Sequence, residues 1–425
     1  MESITFEDSG KLLRLADSLE TTEVIVWLSV SGTVSKSTLT AEQALQNLKT
    51  HYKEMLTAYP TLRLKLITKE NLEYWNYATD EEIQFDNLIH IVDEPFDDAV
   101  PETRDADKAP LWRVHVAQYA DKTKIKVLGS HCILDGRGIF SFFDLICTYA
   151  LGRELNDTLK SYQNQPVLYE YGKKDWFIKE ITEKKLDDPY EHFHLKNLKI
   201  NPSISLPSHI NNEQWNVSYP PMSKFCRKHG VTPQGVLMAI QNEAIRKFNK
   251  GKCDDMKIPV YIPIDYRHTK YATELVNKSL FFCHVGFILP FMENEPDMLE
   301  NMKKCTQGLK EALNTTQYCD DAYYSCNLRN YETGEIHFSE NYPNPYDLVF
   351  ASHIGVVGYG LDDIQFRIRS LMEGDMYWAT FYGFHNKETF SFVYNVPYNT
   401  PKEYFDSVKE TSLKYHEFMV KDVSE

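Results

Sequence analysis

Residues 130–138 read Ser130-His131-Cys132-Ile133-Leu134-Asp135-Gly136-Arg137-Gly138. A strand-like run from Ile125 to Leu128 precedes them, and Ile139 to Ile146 follows with an apolar spacing that suits a helix. The order strand, turn, helix places a histidine at the turn. Asp135 and Gly136 complete a His-x-x-x-Asp-Gly pattern, so one base and one orienting carboxylate fit within a single tight turn. Gly136 is expected to let the chain turn where a side chain would collide. A chain of this composition carries the pattern by chance only roughly 0.04 times.

On the N-terminal side, Leu111 to Ala117 alternates apolar and polar residues and Asp121-Lys122 supplies a turn, so His131 ends the second strand of a hairpin. Earlier, Lys11 to Ala16 is expected to form a short helix packed on its own lobe. The β-branched residues between Glu23 and Val34 predict a strand. Apolar residues from Ala41 to Leu56 then recur at three- and four-residue steps, which predicts a helix capped by Ser37 or Thr38 and stopped by Pro60. Thr61 to Ile67 alternates again, and a short strand is expected at Ile89 to Val92.

Beyond the motif helix, residues 152–215 are polar and mixed in charge, with a helical stretch near Asp175 to Leu186. Helices are expected at Pro221 to Lys228, ended by Gly230, and from Gln234 to Phe248, where Thr232-Pro233 has the form of an N-cap followed by proline at the first helical position. Strands are expected at Ile258 to Ile264 and Leu280 to Leu289. After a helix near Asp297 to Leu313 comes a loop rich in Cys, Tyr and Asn, from Asn314 to Pro345. Four more strands (Asp347–Ile354, Ile364–Leu371, Tyr377–Gly383 and Phe390–Tyr394) and a last helix from Pro401 to about Met419 complete the chain. The 425 residues exceed what one core usually serves, and two lobes are expected.

Charge and composition narrow the function. A net charge of −15 with no basic run argues against a nucleic-acid partner. The cysteines at 132, 147, 226, 253, 283, 305, 319 and 326 show no C-x-x-C pair, as in a reduced chain without a zinc site. The acidic start lacks the basic and apolar regions of a signal peptide, and no run of eighteen apolar residues occurs. A cytoplasmic monomer is therefore expected, with peripheral contact to a membrane or lipid surface left open at Lys11 to Ala16.

Several further pieces stand in a fixed order: Tyr59-Pro60-Thr61-Leu62-Arg63, Pro110-Leu111-Trp112-Arg113-Val114, His131 to Gly136, Ile262-Pro263-Ile264-Asp265-Tyr266-Arg267, and Ser352-His353-Ile354-Gly355. In these the sequence resembles the chloramphenicol acetyltransferase-like superfamily of coenzyme A-dependent acyltransferases and peptide-synthetase condensation domains, and among them the alcohol acetyltransferases most. The resemblance implies an α/β (α+β) protein of two similar lobes with mixed sheets and a central tunnel: residues 1–175 as the N-terminal lobe, 176–215 as the crossover and 216–425 as the C-terminal lobe. Acetyl-coenzyme A or another acyl-coenzyme A would serve as cosubstrate, with a small, fairly apolar alcohol or amine as acceptor and no metal.

The roles of His131, Asp135, Ser352 and Gly355 follow from the same resemblance. His131 is implied as general base, a function worth roughly 10²- to 10⁴-fold in rate. Asp135 is implied to be structural, paired across the lobes with Arg267 so that a buried carboxylate is compensated. Ser352 and Gly355 match a segment that contacts substrate or oxyanion, although the family usually has asparagine where this chain has His353. Phe140, Phe142, Phe143, Phe281 and Phe282 are apolar candidates for an acceptor pocket or for the core, with Phe140 taken as the possible substrate contact. Arg367, Arg369, Lys247, Lys250 and Lys252 are candidates for coenzyme phosphates. Ser130 stands where condensation domains usually have a second histidine, which favours free coenzyme A. The alternatives are a condensation-like domain using a carrier-bound thioester and a non-catalytic binding protein on the same fold.

Overall fold

The computed structural model describes residues 4–24, 26–93, 110–164, 210–249, 257–269, 286–288, 290–315, 349–357, 360–370, 380–397 and 402–425, with residues 254, 255, 318, 319, 321, 330, 333 and 335. The first half carries strands β1 (Leu12–Leu15), β2 (Val26–Ser35), β3 (Leu64–Lys69), β4 (Leu72–Tyr77), β5 (Ile89–Ile91), β6 (Trp112–Gln118) and β7 (Lys122–Ser130). Its helices are α1 (Ser18–Glu23), α2 (Ala41–Ala58), α3 (Phe85–Leu88), α4 (Gly136–Ala150) and α5 (Asp157–Ser161). The second half carries β8 (Ile210–Ser218), α6 (Tyr219–His229), α7 (Pro233–Phe248), β9 (Ile258–Pro263), β10 (Phe287–Ile288), β11 (Phe291–Met292) and α8 (Met298–Leu313). It ends with β12 (Val349–Val356), β13 (Asp362–Ser370), β14 (Thr380–His385), β15 (Thr389–Pro397) and α9 (Lys402–Ser424).

Local chemistry sets most boundaries. Thr40 caps α2, accepting from Gln43 N while the Gln43 side chain returns to the Thr40 N–H, a reciprocal arrangement worth about 1 kcal/mol. The cap thus falls two to three residues later than expected, where the glutamine needed for reciprocity is found. Pro60 starts a 3₁₀ turn, Pro60–Arg63, which delays the following strand to Leu64. Thr232 caps α7 with Pro233 at the first position, and Gly230 ends α6 in the left-handed conformation at φ 68°. One element differs in kind. Lys11 to Ala16 contains the strand β1, paired antiparallel to β4, because its alternate residues have an edge to pair with and too few turns to form a helix.

The strands form three sheets: β13-β2-β7-β6-β5, β10-β9-β12-β14-β15-β8 with β11 also on β9, and β1-β4-β3. The first two mix parallel and antiparallel pairs. α2 and α4 pack together, and α4 lies on β2 and β7. In the other lobe α7 lies on β12 and β14 and is flanked by α8 and α9. α4 is apolar nearly all round and its residues from Gly138 to Ala150 are almost all buried, as a helix shared between two packed surfaces must be.

The lobe boundaries depart from the sequence reading in two places. β8 begins at Ile210 and pairs with β15 along its length, so residues 210–215 belong to the second sheet and not to the crossover. The strand β13 leaves the C-terminal lobe and pairs with β2, from Asp362 opposite Thr33 to Ser370 opposite Val26. The second half of the chain therefore completes the first lobe's sheet. On the other side of β13, the Gln214 side chain donates to Ile364 O (2.6 Å) and accepts from Phe366 N (3.2 Å), so an amide side chain takes the place of a neighbouring strand. The expected helix near 175–186, residues 280–285 and nearly all of the 314–345 loop lie outside the described residues.

Candidate active site

The turn that carries His131 is tied down by its own backbone. Ile133 N and Leu134 N both donate to Ser130 O, at 3.2 and 3.1 Å, and His131 N donates to Val26 O at 2.6 Å. Ser130 is fully buried and its hydroxyl donates to Val24 O at 2.9 Å, so this residue latches the turn to the chain entering β2. The turn opens directly into α4. Asp135 is that helix's N-cap: its Oδ1 accepts from Gly138 N at 2.6 Å.

The other carboxylate oxygen of Asp135 faces the second lobe. Arg267 Nη2 lies 2.8 Å from Asp135 Oδ2, and both side chains are nearly excluded from solvent. The 3₁₀ turn Tyr266–His268 that follows β9 holds the arginine there; Asp265 Oδ1 accepts from Arg267 N (2.9 Å) and from its Nη1 (3.0 Å). The resemblance-derived pair thus meets across the lobes. One charged contact joins a helix cap in the first lobe to a strand end in the second.

His131 itself is 23% exposed, and its Nδ1 lies 2.9 Å from Glu23 Oε2 at the end of α1. Burial alone disfavours the imidazolium. The Glu23 charge and hydrogen bond, with the Asp135 charge and a backbone bond, outweigh burial and raise the pKa above the ordinary 6.5. The next residue is chemically quiet: burial pushes the Cys132 thiol well above its ordinary range, so it is not a thiolate nucleophile. Tyr382 of β14 lies within electrostatic reach of Glu23 from the second lobe, and burial pushes its hydroxyl up, keeping it protonated.

Two expectations for this region change. At Gly136 a Cβ would meet nothing within 4 Å and the backbone lies outside the left-handed region. The glycine leaves open space beside the start of α4 and relieves no collision. Phe140 is fully buried and packs its ring against Phe366 (5.4 Å) and Phe384 (5.2 Å), so the structure places it in the core between the lobes. Phe142 and Phe143 are equally buried, while Phe281 and Phe282 lie outside the described residues.

Ser352 and Gly355 lie on β12, opposite Tyr382 and Phe384 of β14, with a register shift between His353 and Gly355. Gly355 takes φ 105°, which only glycine tolerates easily, and a Cβ there would approach Arg137 Nη1. Arg137, inside the motif, donates to Val356 O at 2.8 Å, so β12 is fastened to the motif helix at this irregular point. Gln234 of α7 holds the same strand from the other side through Ala351 O and His353 N. Of the phosphate candidates, Lys247 pairs with Glu410 at the surface, and burial lowers the pKa of Arg367. Lys250 and Lys252 lie outside the described residues. No group of three metal-ligating side chains occurs among the described residues, and no described helix is long and apolar enough to cross a membrane.

The sequence reading did not find Glu23. It stands 108 residues before its histidine, and its only local mark is a carboxylate at the end of a short polar run.

No family model and no curated protein matches the chain by sequence. Its structure does match solved ones. Trichothecene 15-O-acetyltransferase from Fusarium sporotrichioides aligns at a TM-score of 0.64 with 11% identity, covering 97% of both chains. Polyketide synthase associated protein 5 from Mycobacterium tuberculosis aligns at 0.62 with 12% identity, covering 96% of this chain and 99% of that one. The first condensation domain of the CDA synthetase aligns at 0.58 with 10% identity, covering 96% of each. The chain therefore has the two-lobed fold of condensation domains and chloramphenicol acetyltransferase-like proteins over nearly its whole length.

Proposed function

We propose that the protein is an acyltransferase that moves an acyl group, most simply acetyl, from coenzyme A to a hydroxyl or amine of a small, fairly apolar acceptor. The observation that carries this reading is His131 itself: a part-exposed imidazole on a turn fixed by the Asp135–Arg267 pair, with one ring nitrogen held by Glu23. The other nitrogen, Nε2, takes the acceptor's proton as its oxygen or nitrogen attacks the thioester carbonyl. Collapse then breaks the carbon–sulfur bond, and the proton returns to the departing thiolate. With Cys132 held as a thiol, the reading is direct transfer with no covalent acyl-enzyme. An acetyltransferase among the structural matches supports it.

Incubating the purified protein with acetyl-coenzyme A and a panel of alcohols, sphingoid-like amines and amino alcohols, with products identified by mass spectrometry, tests the proposal. Full activity in His131→Ala would sink it. A second reading, a donor thioester on a carrier protein, is favoured by the condensation-domain match. Ser130 bears on that choice, since its buried hydroxyl is committed to Val24 O and supplies no second base. Turnover with a carrier-bound acyl group but none with acetyl-coenzyme A would select the second reading. Absence of coenzyme A binding in calorimetry together with no turnover of either donor would favour a non-catalytic binding protein.

A further inference from the structure

We propose that Glu23 is a positioning residue for His131, holding the neutral imidazole with its proton on Nδ1 so that the Nε2 lone pair faces the acceptor. The inference rests on the acyl-transfer reading and deepens it, because neither the motif nor the resemblance involves this carboxylate.

Geometry comes first: Glu23 Oε2 and His131 Nδ1 are 2.9 Å apart, with both side chains about one-fifth exposed. The support behind the carboxylate is more telling. Asp17 caps α1 by accepting from Glu20 N (2.9 Å), while Asp17 N donates back to Glu20 Oε2 (2.9 Å). Arg14 grips the Glu20 carboxylate with both terminal nitrogens, at 2.9 and 2.7 Å. Glu23 lies three residues after this anchored glutamate and so projects from the same face of the helix. Beyond it, Val24 O and Val26 O accept from Ser130 Oγ and His131 N. The helix that presents the carboxylate is thus braced within itself before Glu23, and just after Glu23 its chain is fastened to the turn that presents the base, which is how a side chain is held within a fraction of an ångström.

Electrostatics point the same way. A carboxylate at the C-terminal end of a helix faces the negative end of the dipole, and α1 has no basic residue in its last turn. The charge gains nothing from its own helix; its partner is His131. Among the described residues, the groups around the imidazole are Glu23 from α1, Asp135 from the turn with Arg267 behind it, and Tyr382 from β14 on the Glu23 side. Glu20 lies beyond, near Cys132. When Nε2 accepts the acceptor's proton, the imidazolium is stabilised by the carboxylate 2.9 Å from Nδ1.

Glu23→Gln and Glu23→Ala in the full chain separate charge from orientation. Nitrogen NMR of His131 reads tautomer and titration, and kcat/KM against pH with acetyl-coenzyme A reads catalysis. Glu23→Gln, nearly isosteric, is expected to lower the His131 midpoint by about one pH unit or more and to cut kcat/KM at its plateau by about tenfold or more, with an unchanged melting temperature at pH above the parent's His131 midpoint. Glu23→Ala is expected also to abolish the preference for the proton on Nδ1. Should Glu23→Ala not fold, Glu23→Gln carries the test alone. The same His131 midpoint and tautomer in the variants as in the parent would overturn the inference. Because the NMR readout needs no turnover, a Glu23-dependent titration in a protein that acylates nothing would sustain the pair and sink the acyl-transfer reading.

Discussion

Two histidines near the seam between the lobes end in opposite states. Burial presses on both, yet His131 has its pKa raised while His353 is pushed down to about 3. The surroundings explain the split. His131 faces the carboxylates of Glu23 and Asp135. The His353 ring lies parallel to those of His385 (5.4 Å) and Phe390 (5.9 Å), and the nearby charges, from His385 and Arg137, disfavour a proton. Its Nε2 is buried without a hydrogen-bond partner among the described residues. A carboxylate at bonding distance, more than depth, decides which histidine can cycle a proton near neutrality.

The hardest way to break this contrast is His131→Ala, for which acyl transfer is expected to fall by roughly 10²- to 10⁴-fold or more with little change in melting temperature. Steady-state assays with acetyl-coenzyme A check it. Removing the clamp comes next: Arg267→Met leaves Asp135 buried without its cation and is expected to cost about 3–5 kcal/mol in urea unfolding.

Acidity sharpens the comparison without mutation. Activity that needs neutral His131 is expected to rise with pH through a midpoint above 6.5. The stability that the His131–Glu23 pair contributes runs the other way: it is fully present below pH 6.5 and is lost as pH climbs through the raised folded value. His353 has the reverse sign. Between pH 6.5 and about 3 the unfolded chain binds a proton there that the folded chain refuses, so stability is lost as pH falls through that window. Unfolding midpoints of the parent and of His353→Asn, measured across the acid range, check this; the variant is expected to show a shallower acid slope.

The smallest effect is expected from Arg137→Gln, which removes one charge from beside His353 and one tie to β12. The His353 midpoint moves up towards 6.5 and stability falls by about 0.5–1.5 kcal/mol, read by NMR titration and urea unfolding.

What the sequence revealed and what it hid divide along chain distance. The motif turn, the Thr232-Pro233 cap and the Gly230 stop are local signals, because a cap or a left-handed residue acts within a turn of where it stands. The meeting of Asp135 with Arg267 came from the ordered resemblance and not from any pattern within the residues. Glu23 left no trace, since pairing across 108 residues imposes nothing on its neighbours. The same holds for β13, whose alternation fits any sheet and does not say that the partner is β2. Apolar spacing in α4 identified a helix, yet it did not distinguish a core phenylalanine from one lining a pocket, and in the structure Phe140 is fully buried.

The excursion of β13 has a consequence for dissecting the protein. A chain cut after residue 215 would keep β2 but lose the strand that covers its outer edge along nearly its whole length. That edge would present a row of unpaired amides and carbonyls to other copies, an invitation to strand-by-strand aggregation. The lobes look separable in outline, but the first cannot be expressed as a well-behaved fragment without borrowing back residues 362–370.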